Sequence, residues 1–259
     1  MYGLPPELVV TADGPIRVVT LNRPADLNGV NRAMHQALAR VWDHLTADAD
    51  AQVVVLTGQG SAFSAGGDFD YMQENIDDAE LRARTIDEGR AMVTGMVRCP
   101  LPVIAAVNGP AVGLGCSLAL LSDLVLMADT GFLADPHLRM GLVPGDGGMV
   151  WPALIGLSRA KEYLFLGERI SAQQAVRFGL AIRVVAADDL MSEAMSLAAR
   201  LTKIPSRALR DTKRALNAYL EAQLPQAFER AFAGELASMH SPEHSRAVAA
   251  AKAKSATTP

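Results

Sequence analysis

Hydrophobic and polar positions follow different periods in different parts of this chain. Glu7–Thr11 and Ile16–Leu21 are short runs rich in strand-forming residues around Asp13-Gly14-Pro15, which predicts a hairpin whose second strand ends at Asn22-Arg23-Pro24. From Asn31 the period changes. Met34, Leu38, Val41 and Leu45 follow at spacings of 4, 3 and 4, the apolar face of a helix with Asn31 as its cap. Val53-Val54-Val55-Leu56-Thr57 shows no alternation, as expected of a strand buried on both faces. It runs into a glycine-rich loop from Gly58 to Gly67. Tyr71–Arg90 carries many charges and few large apolar residues, which predicts an exposed, mobile loop and a surface helix. Ile86, Val93 and Val97 then mark the apolar face of a helix that ends before Pro100.

The order then repeats. Val103–Val107 is a second buried strand, Asn108-Gly109-Pro110 a turn, and Gly113 and Gly115 flank Leu114 at the start of an apolar helix reaching Leu121. Leu124–Ala128 is a third strand. Strand, glycine loop, helix, strand predicts a largely parallel sheet with right-handed crossovers. After Pro144-Gly145-Asp146-Gly147-Gly148 helices dominate, over Arg159–Leu166, Ser171–Phe178, Asp188–Lys203, Ser206–Ala222 and Pro225–Met239, with one short strand at Ala181–Val185. Ser241-Pro242 opens a last helix toward Lys252, and Ser255–Pro259 is expected to be a loose tail. The expected organisation is an α/β core over residues 1–200 and a helical C-terminal extension over residues 201–259. No low-complexity linker divides them.

Composition narrows the function classes. Of 259 residues, 50% are hydrophobic and 20% charged, enough for a sizeable core. The net charge is −4, so no strong basic field points to nucleic acid. Two cysteines, Cys99 and Cys116, make no disulfide framework and suit a reducing compartment. Met1–Pro6 lacks a basic segment followed by an apolar one, and no apolar run approaches the ~20 residues of a membrane span. A cytoplasmic protein without membrane partners is expected.

The informative chemistry lies in the two strand–glycine-loop–helix junctions, Gly60–Asp68 and Asn108–Cys116. A glycine turn that opens a helix leaves N–H groups unpaired at the positive end of the helix dipole. Two such turns on neighbouring parallel strands make a pocket for an anion, such as a phosphate, a carboxylate or the oxygen of a polarised thioester. One junction alone is explained by tight turns and close packing. Gly113-Leu114-Gly115 starts like a dinucleotide fingerprint, but Leu118 fills the third glycine position, which weighs against a dinucleotide-dependent oxidoreductase. There is no Gly-x-Ser-x-Gly elbow and no phosphate loop ending in Gly-Lys-Ser/Thr. The histidines and cysteines show no metal-ligand spacing. His35 and His44 are expected to be solvated helix residues, with His240 and His244 flanking a helix start.

Leu21-Asn22-Arg23-Pro24 with Asn28, Phe63–Asp68, Ala106–Cys116, Asp135-Pro136-His137, Gly141–Gly145 and Ala172–Leu180 resemble the enoyl-CoA hydratase/isomerase (crotonase) family in order and spacing. The resemblance implies a crotonase-like α/β spiral of ββα and βαβ turns and a helical C-terminal part for trimerisation. It also implies an acyl-CoA thioester ligand, with coenzyme A as part of the substrate and no other cofactor or metal. By the same resemblance, the N–H groups of Gly67 and Leu114 form an oxyanion hole. Ala65 offers its carbonyl near the adenine, Gly66 and Gly113 complete the substrate-binding loops, and Asp68 opens the following helix.

This chain also departs from the family pattern. Family hydratases carry two glutamates where Ser117 and His137 stand here. A hydroxyl orients water but is a poor base alone, whereas an imidazole serves as acid or base near neutral pH. Asp135-Pro136-His137 equally reads as a cap, a first-turn proline and a lining residue. Asp146 stands one residue after the position where some members place an aspartate, and is either catalytic or a cap for a helix through Met149. Asp70 and Ala25 stand where basic residues often meet the CoA phosphates, leaving Arg82, Arg84, Lys213 and Lys252 as candidates.

The expected activity is therefore acyl-CoA chemistry through a stabilised thioester enolate. Hydration, double-bond isomerisation, decarboxylation and hydrolysis all remain open, as does a catalytically weak acyl-CoA-binding member. Hydration is expected to be slow, and the pH–rate limb to sit near a histidine's ordinary pKa. Phe228, Phe232, Leu236 and Met239 form an apolar stripe on a late helix; with the resemblance it suggests a homotrimer or a dimer of trimers.

Overall fold

The computed structural model describes residues 2–257. Its first elements follow the sequence pattern closely. β1 (Leu8–Asp13) and β2 (Ile16–Leu21) pair antiparallel across a turn in which Gly14 takes φ +53°. α1 (Arg32–Ala47) begins where the cap predicts, with the Asn31 side chain accepting from the Met34 N–H at 2.9 Å. β3 (Val53–Gly58) is buried along its whole length and runs parallel to β2.

The polar stretch that follows is two helices, α2 (Phe69–Asp77) and α3 (Ala79–Arg98), rather than a loop and one helix. Asp68 and Asp78 explain the difference. Asp68 accepts from the N–H groups of Asp70 and Tyr71, and Asp78 from those of Glu80 and Leu81, so a fresh cap restarts the helix after one break. Tyr71, Leu81, Thr85 and Ile86 are buried despite their polar surroundings.

The second round comprises β4 (Val103–Val107), β5 (Pro110–Val112), α4 (Leu114–Leu120), β6 (Leu124–Ala128) and β7 (Phe132–Ala134). Then come α5 (Trp151–Ile155), α6 (Leu157–Leu166), β8 (Ile170–Ser171), α7 (Ala172–Phe178), β9 (Arg183–Val185) and α8 (Leu190–Leu201). The main sheet has the order β1-β2-β3-β4-β6-β9 and is parallel after its first pair; β5, β7 and β8 form a small second sheet. Alternate residues of β3 face opposite cores. Val54 and Leu56 join the cluster beneath α1 and α3, whereas Val53 and Val55 join one covered by Leu190, Ala194 and Ala198 of α8.

α9 (Ser206–Glu221) and α10 (Glu229–Ser238) pack on α3, and α11 (Pro242–Thr257) packs on α2. Arg90 of α3 meets Glu229 at 2.7 Å, and Asn217 donates to the Val97 carbonyl at 2.8 Å. Phe228, Phe232 and Met239 are buried in this chain's own core, and Leu236 alone of the stripe is exposed. The stripe is therefore intramolecular cement. α11 runs through Ser255–Thr257; the rest of the expected tail, Thr258 and Pro259, lies outside the described residues. Among the described residues no helix is long and apolar enough to cross a membrane, and no group of His, Cys, Asp and Glu is arranged to hold a metal ion.

Candidate active site

The two glycine junctions meet. Val112 donates to the Ser64 carbonyl at 2.9 Å, and Phe63 and Ser64 both donate to the Pro110 carbonyl. Gly115 permits this approach, because a Cβ there would lie 2.8 Å from the Ser64 carbonyl oxygen. Gly66, at φ +92°, likewise passes too close to the Val112 carbonyl for a side chain. The first loop is braced by Asn28, fully buried, whose amide donates to the Gln59 and Ala62 carbonyls and accepts from the Arg23 N–H. Gly66 donates to the Ser64 hydroxyl, and Asp68 to the Val30 carbonyl. Between them the N–H of Gly67 has no hydrogen-bond partner among the described residues. Nor has that of Leu114, at the first turn of α4.

Gly67 and Leu114 line one cavity of about 240 Å³ together with Ala65, Gly66, Gly113, His137 and Asp146. Its reactive wall is a chain of acids and imidazole. His137 Nδ1 lies 2.5 Å from Asp135 Oδ1, its Nε2 lies 3.8 Å from Asp146 Oδ2, and Ser117 Oγ donates to Asp146 Oδ1 at 2.9 Å. Glu235 of α10 enters the same cavity and is buried. Burial pushes the Asp135 carboxyl up, but the imidazole beside it prevails and holds it below its usual value. Burial would lower His137; the charges of Asp135, Asp146 and Glu235 reverse this and hold it at about 10. Asp146 is raised, chiefly by burial, against the pull of His137 and Ser117. Glu235 is raised to about 8 by burial first and then by Asp146 and Asp135. At neutral pH His137 thus keeps its proton, and the charges of Asp146 and Asp135 favour the acid form of Glu235.

The sequence candidates sort out as follows. Asp68 caps α2 and pairs with Arg23 at 3.0 Å. Ser117 does not line the cavity; its hydroxyl orients Asp146. Asp146 turns to Ser117 and His137, and the Gly148–Val150 turn has no side-chain cap. The basic candidates differ sharply. Lys213 is buried against Asp123 and the Leu101 carbonyl, Arg82 donates to the Asn75 and Ile76 carbonyls, and Arg84 is exposed beside Glu80. Lys252 borders a second recess with Ala65, Gly67 and Asp70, where it meets Asp70 at 2.6 Å.

Three cavity residues escaped sequence reasoning. His35 is buried rather than solvated because Glu88 of α3 receives its Nδ1 at 2.7 Å. His244 is buried with Nδ1 on the Met140 carbonyl, and burial lowers its pKa. Glu235 has a legible signal. It is an acid three residues after Phe232 and four before Met239, on the face that those residues bury.

The sequence model of the enoyl-CoA hydratase/isomerase family matches residues 11–251. The chain is 36% identical over 225 residues to a probable enoyl-CoA hydratase of Rhodobacter capsulatus, covering 85% of this chain and 86% of that one. It is 34% identical to the 2,3-dehydroadipyl-CoA hydratase of Escherichia coli, with 84% of each chain covered. The crystal structure of an enoyl-CoA hydratase/isomerase from Mycobacterium paratuberculosis superposes with a TM-score of 0.94 at 49% identity, covering 96% of this chain and 100% of that one. The fold is therefore crotonase-like, and this chain belongs to the enoyl-CoA hydratase/isomerase family, enzymes of acyl-CoA thioester chemistry.

Proposed function

We propose that this enzyme seats the thioester oxygen of an acyl-CoA between the N–H groups of Gly67 and Leu114 and moves protons on the adjoining carbons with Asp146, Glu235 and His137. The observation that carries this reading is the meeting, in one cavity, of two partnerless N–H groups with His137 and the buried carboxyls of Asp146 and Glu235. Removing a proton from C2 leaves negative charge on the thioester oxygen, which two aimed donors stabilise. Asp146 in its ionised form takes that proton, and Glu235 in its acid form gives one back at another carbon. His137, kept protonated by Asp135, offsets the charge on Asp146. Such a set suits a proton shift, as in double-bond isomerisation, better than addition of water. Because Glu235 and His137 titrate at about 8 and about 10, turnover falls above about pH 8 instead of near a histidine's ordinary value.

Around this centre the Ala65 carbonyl receives the adenine amine, Gly66 and Gly113 shape the loops, and Lys252 serves the CoA phosphates from the neighbouring recess. The C-terminal part, residues 201–259, contributes to a homotrimer or a dimer of trimers. Leu216 and Tyr219, 72% and 64% exposed on α9, are the kind of surface such an assembly covers. The test is deuterium exchange at C2 of saturated acyl-CoAs in D2O, followed by mass spectrometry, beside isomerisation of 3-enoyl-CoAs and hydration of trans-2-enoyl-CoAs. Exchange by the wild type, reduced ~10²–10⁴-fold in Asp146→Asn, is the expected result. Tight binding without exchange would replace this reading with that of a catalytically weak acyl-CoA-binding protein.

A further inference from the structure

Asp146 stands between two glycines, and the backbone calls for neither of them. Gly145 lies outside the left-handed region, and Gly147, at φ −179°, is extended, so any residue could adopt either conformation. Neighbouring side chains are what exclude a larger residue. A Cβ at Gly147 would fall inside Ser117. A Cβ at Gly145 would overlap Glu235 Oε2 and lie 3.1 Å from Phe232 Cδ1. The side chains that occupy these two spaces are the ones that bear on Asp146. Ser117 donates to its Oδ1 at 2.9 Å, and Glu235 is raised by burial and then by the Asp146 charge. Glu235 reaches this loop from α10 and is itself buried.

We propose that Gly145 is a positioning residue: the space left by its missing side chain is the seat of the Glu235 carboxyl beside Asp146, so that the acid of the site depends on residue 145 as much as on residue 235. This rests on the reading of Glu235 as the acid. The overlapping atom is the far end of a flexible side chain, so a methyl group at 145 turns the carboxyl away from Asp146 and leaves the loop in place. Close packing on Phe232 alone would instead make Gly145→Ala a stability defect with no bearing on proton transfer. The converse also follows from the shared space. With Glu235 cut back to alanine, an aspartate introduced at 145 carries its carboxyl one bond beyond Cβ, in the volume that Glu235 leaves.

The variants are Gly145→Ala, Glu235→Ala, the two combined, and Gly145→Asp combined with Glu235→Ala; the activity is isomerisation of trans-3-hexenoyl-CoA. Glu235→Ala should lower it by ~10²-fold or more. Gly145→Ala should lower it about as far, and the combination no further, because one acid is lost only once. Gly145→Asp with Glu235→Ala should recover at least about tenfold over Glu235→Ala. Wild-type turnover in Gly145→Ala, losses that multiply in the combination, or no recovery with aspartate would overturn the proposal. Urea unfolding repeats the cycle without substrate. Any loss of stability in Gly145→Ala should be largely restored by adding Glu235→Ala, which clears the overlap, and a loss that persists would overturn the seat. The pH-dependent effect of Glu235→Gln on stability should vanish in the Gly145→Ala background. If the wild type isomerises no 3-enoyl-CoA, the proton-shift reading falls and unfolding decides alone. A pH-dependent effect that vanishes with Gly145→Ala upholds the seat; one that persists there, or is absent from the wild type, overturns it.

Discussion

Replacing Glu235 by Gln should make the protein's stability less sensitive to alkali, by an amount the site itself sets. Glu235 is buried among Asp146, Asp135 and His137, and its pKa rises from 4.5 to about 8. A group with a raised folded-state pKa contributes stability that is complete below its unfolded value and lost as pH rises through the folded one. For Glu235 that window runs from about pH 4.5 to about 8. At 1.36 kcal/mol per pKa unit the full window corresponds to about 5 kcal/mol. Asp146 and His137 re-titrate in response, so the observable span is about 2–5 kcal/mol. His137 adds a decline in the same direction between pH 6.5 and about 10. Glu235 is one of the charges that raise His137, so the variant loses part of that decline as well, which widens the divergence in the same direction. The glutamine amide mimics the neutral acid, so Glu235→Gln and wild type should be nearly equal in stability at about pH 5 and diverge above it, the variant becoming the more stable. Urea unfolding at about pH 5, 7 and 9 measures this directly. Parallel curves, with a constant difference at all three values, would show that Glu235 titrates normally and is not the acid of the site.

Leu114→Pro should lower kcat by ~10²–10³ relative to Leu114→Ala, because both lose the buried side chain and only proline, tolerated at a helix's first position, also removes the N–H. Leu114→Ala, which keeps the N–H, serves as the reference, and equal losses in the two would refute the donor role. Asp48→Asn should destabilise the fold at neutral pH by ~1–3 kcal/mol, since Asp48 receives the buried Arg17 guanidinium at 2.7 Å and the Tyr2 hydroxyl. Those hydrogen bonds hold the Asp48 carboxyl below its usual value, so the stability it adds is present above about pH 4 and is lost on acidification. Acid titration of melting temperature should therefore be shallower in Asp48→Asn. Light scattering at micromolar concentration should report three subunits or a multiple of three, and a monomer would exclude the proposed assembly.

Much of this architecture is written locally. The Asn31 cap, the unbroken apolar runs of β3 and β4 and the glycine junctions depend on residues close in sequence, and each appears where its pattern places it. The three-residue strands β5 and β7 are too short to show a period. The break between α2 and α3 turns on one aspartate within a run of charges, Asp78. In the site, the glycine loops announced a pocket of unpaired N–H groups, and the family resemblance singled out those of Gly67 and Leu114. Asp135 and His137, two residues apart, could also be read together. Glu235 could be read as lying on the face of Phe232 and Met239 but not as facing the cavity, and His35 could not be placed at all, since the groups they meet lie far along the chain.

The seating of α10 has a consequence for the order in which the molecule is built. Phe228 and Phe232 lock this helix onto α3, where Arg90 lies 5.4 Å over the Phe232 ring. Every strand, both glycine loops, His137 and Asp146 precede α10 in the chain and leave the ribosome before it. A nascent chain can complete its β-sheets while the groove on α3 still stands open. Glu235 reaches the cavity only when that groove fills. Truncation before α10 would therefore leave a binding loop beside an uncovered apolar trough, a species more prone to cling to chaperones than to turn over a thioester.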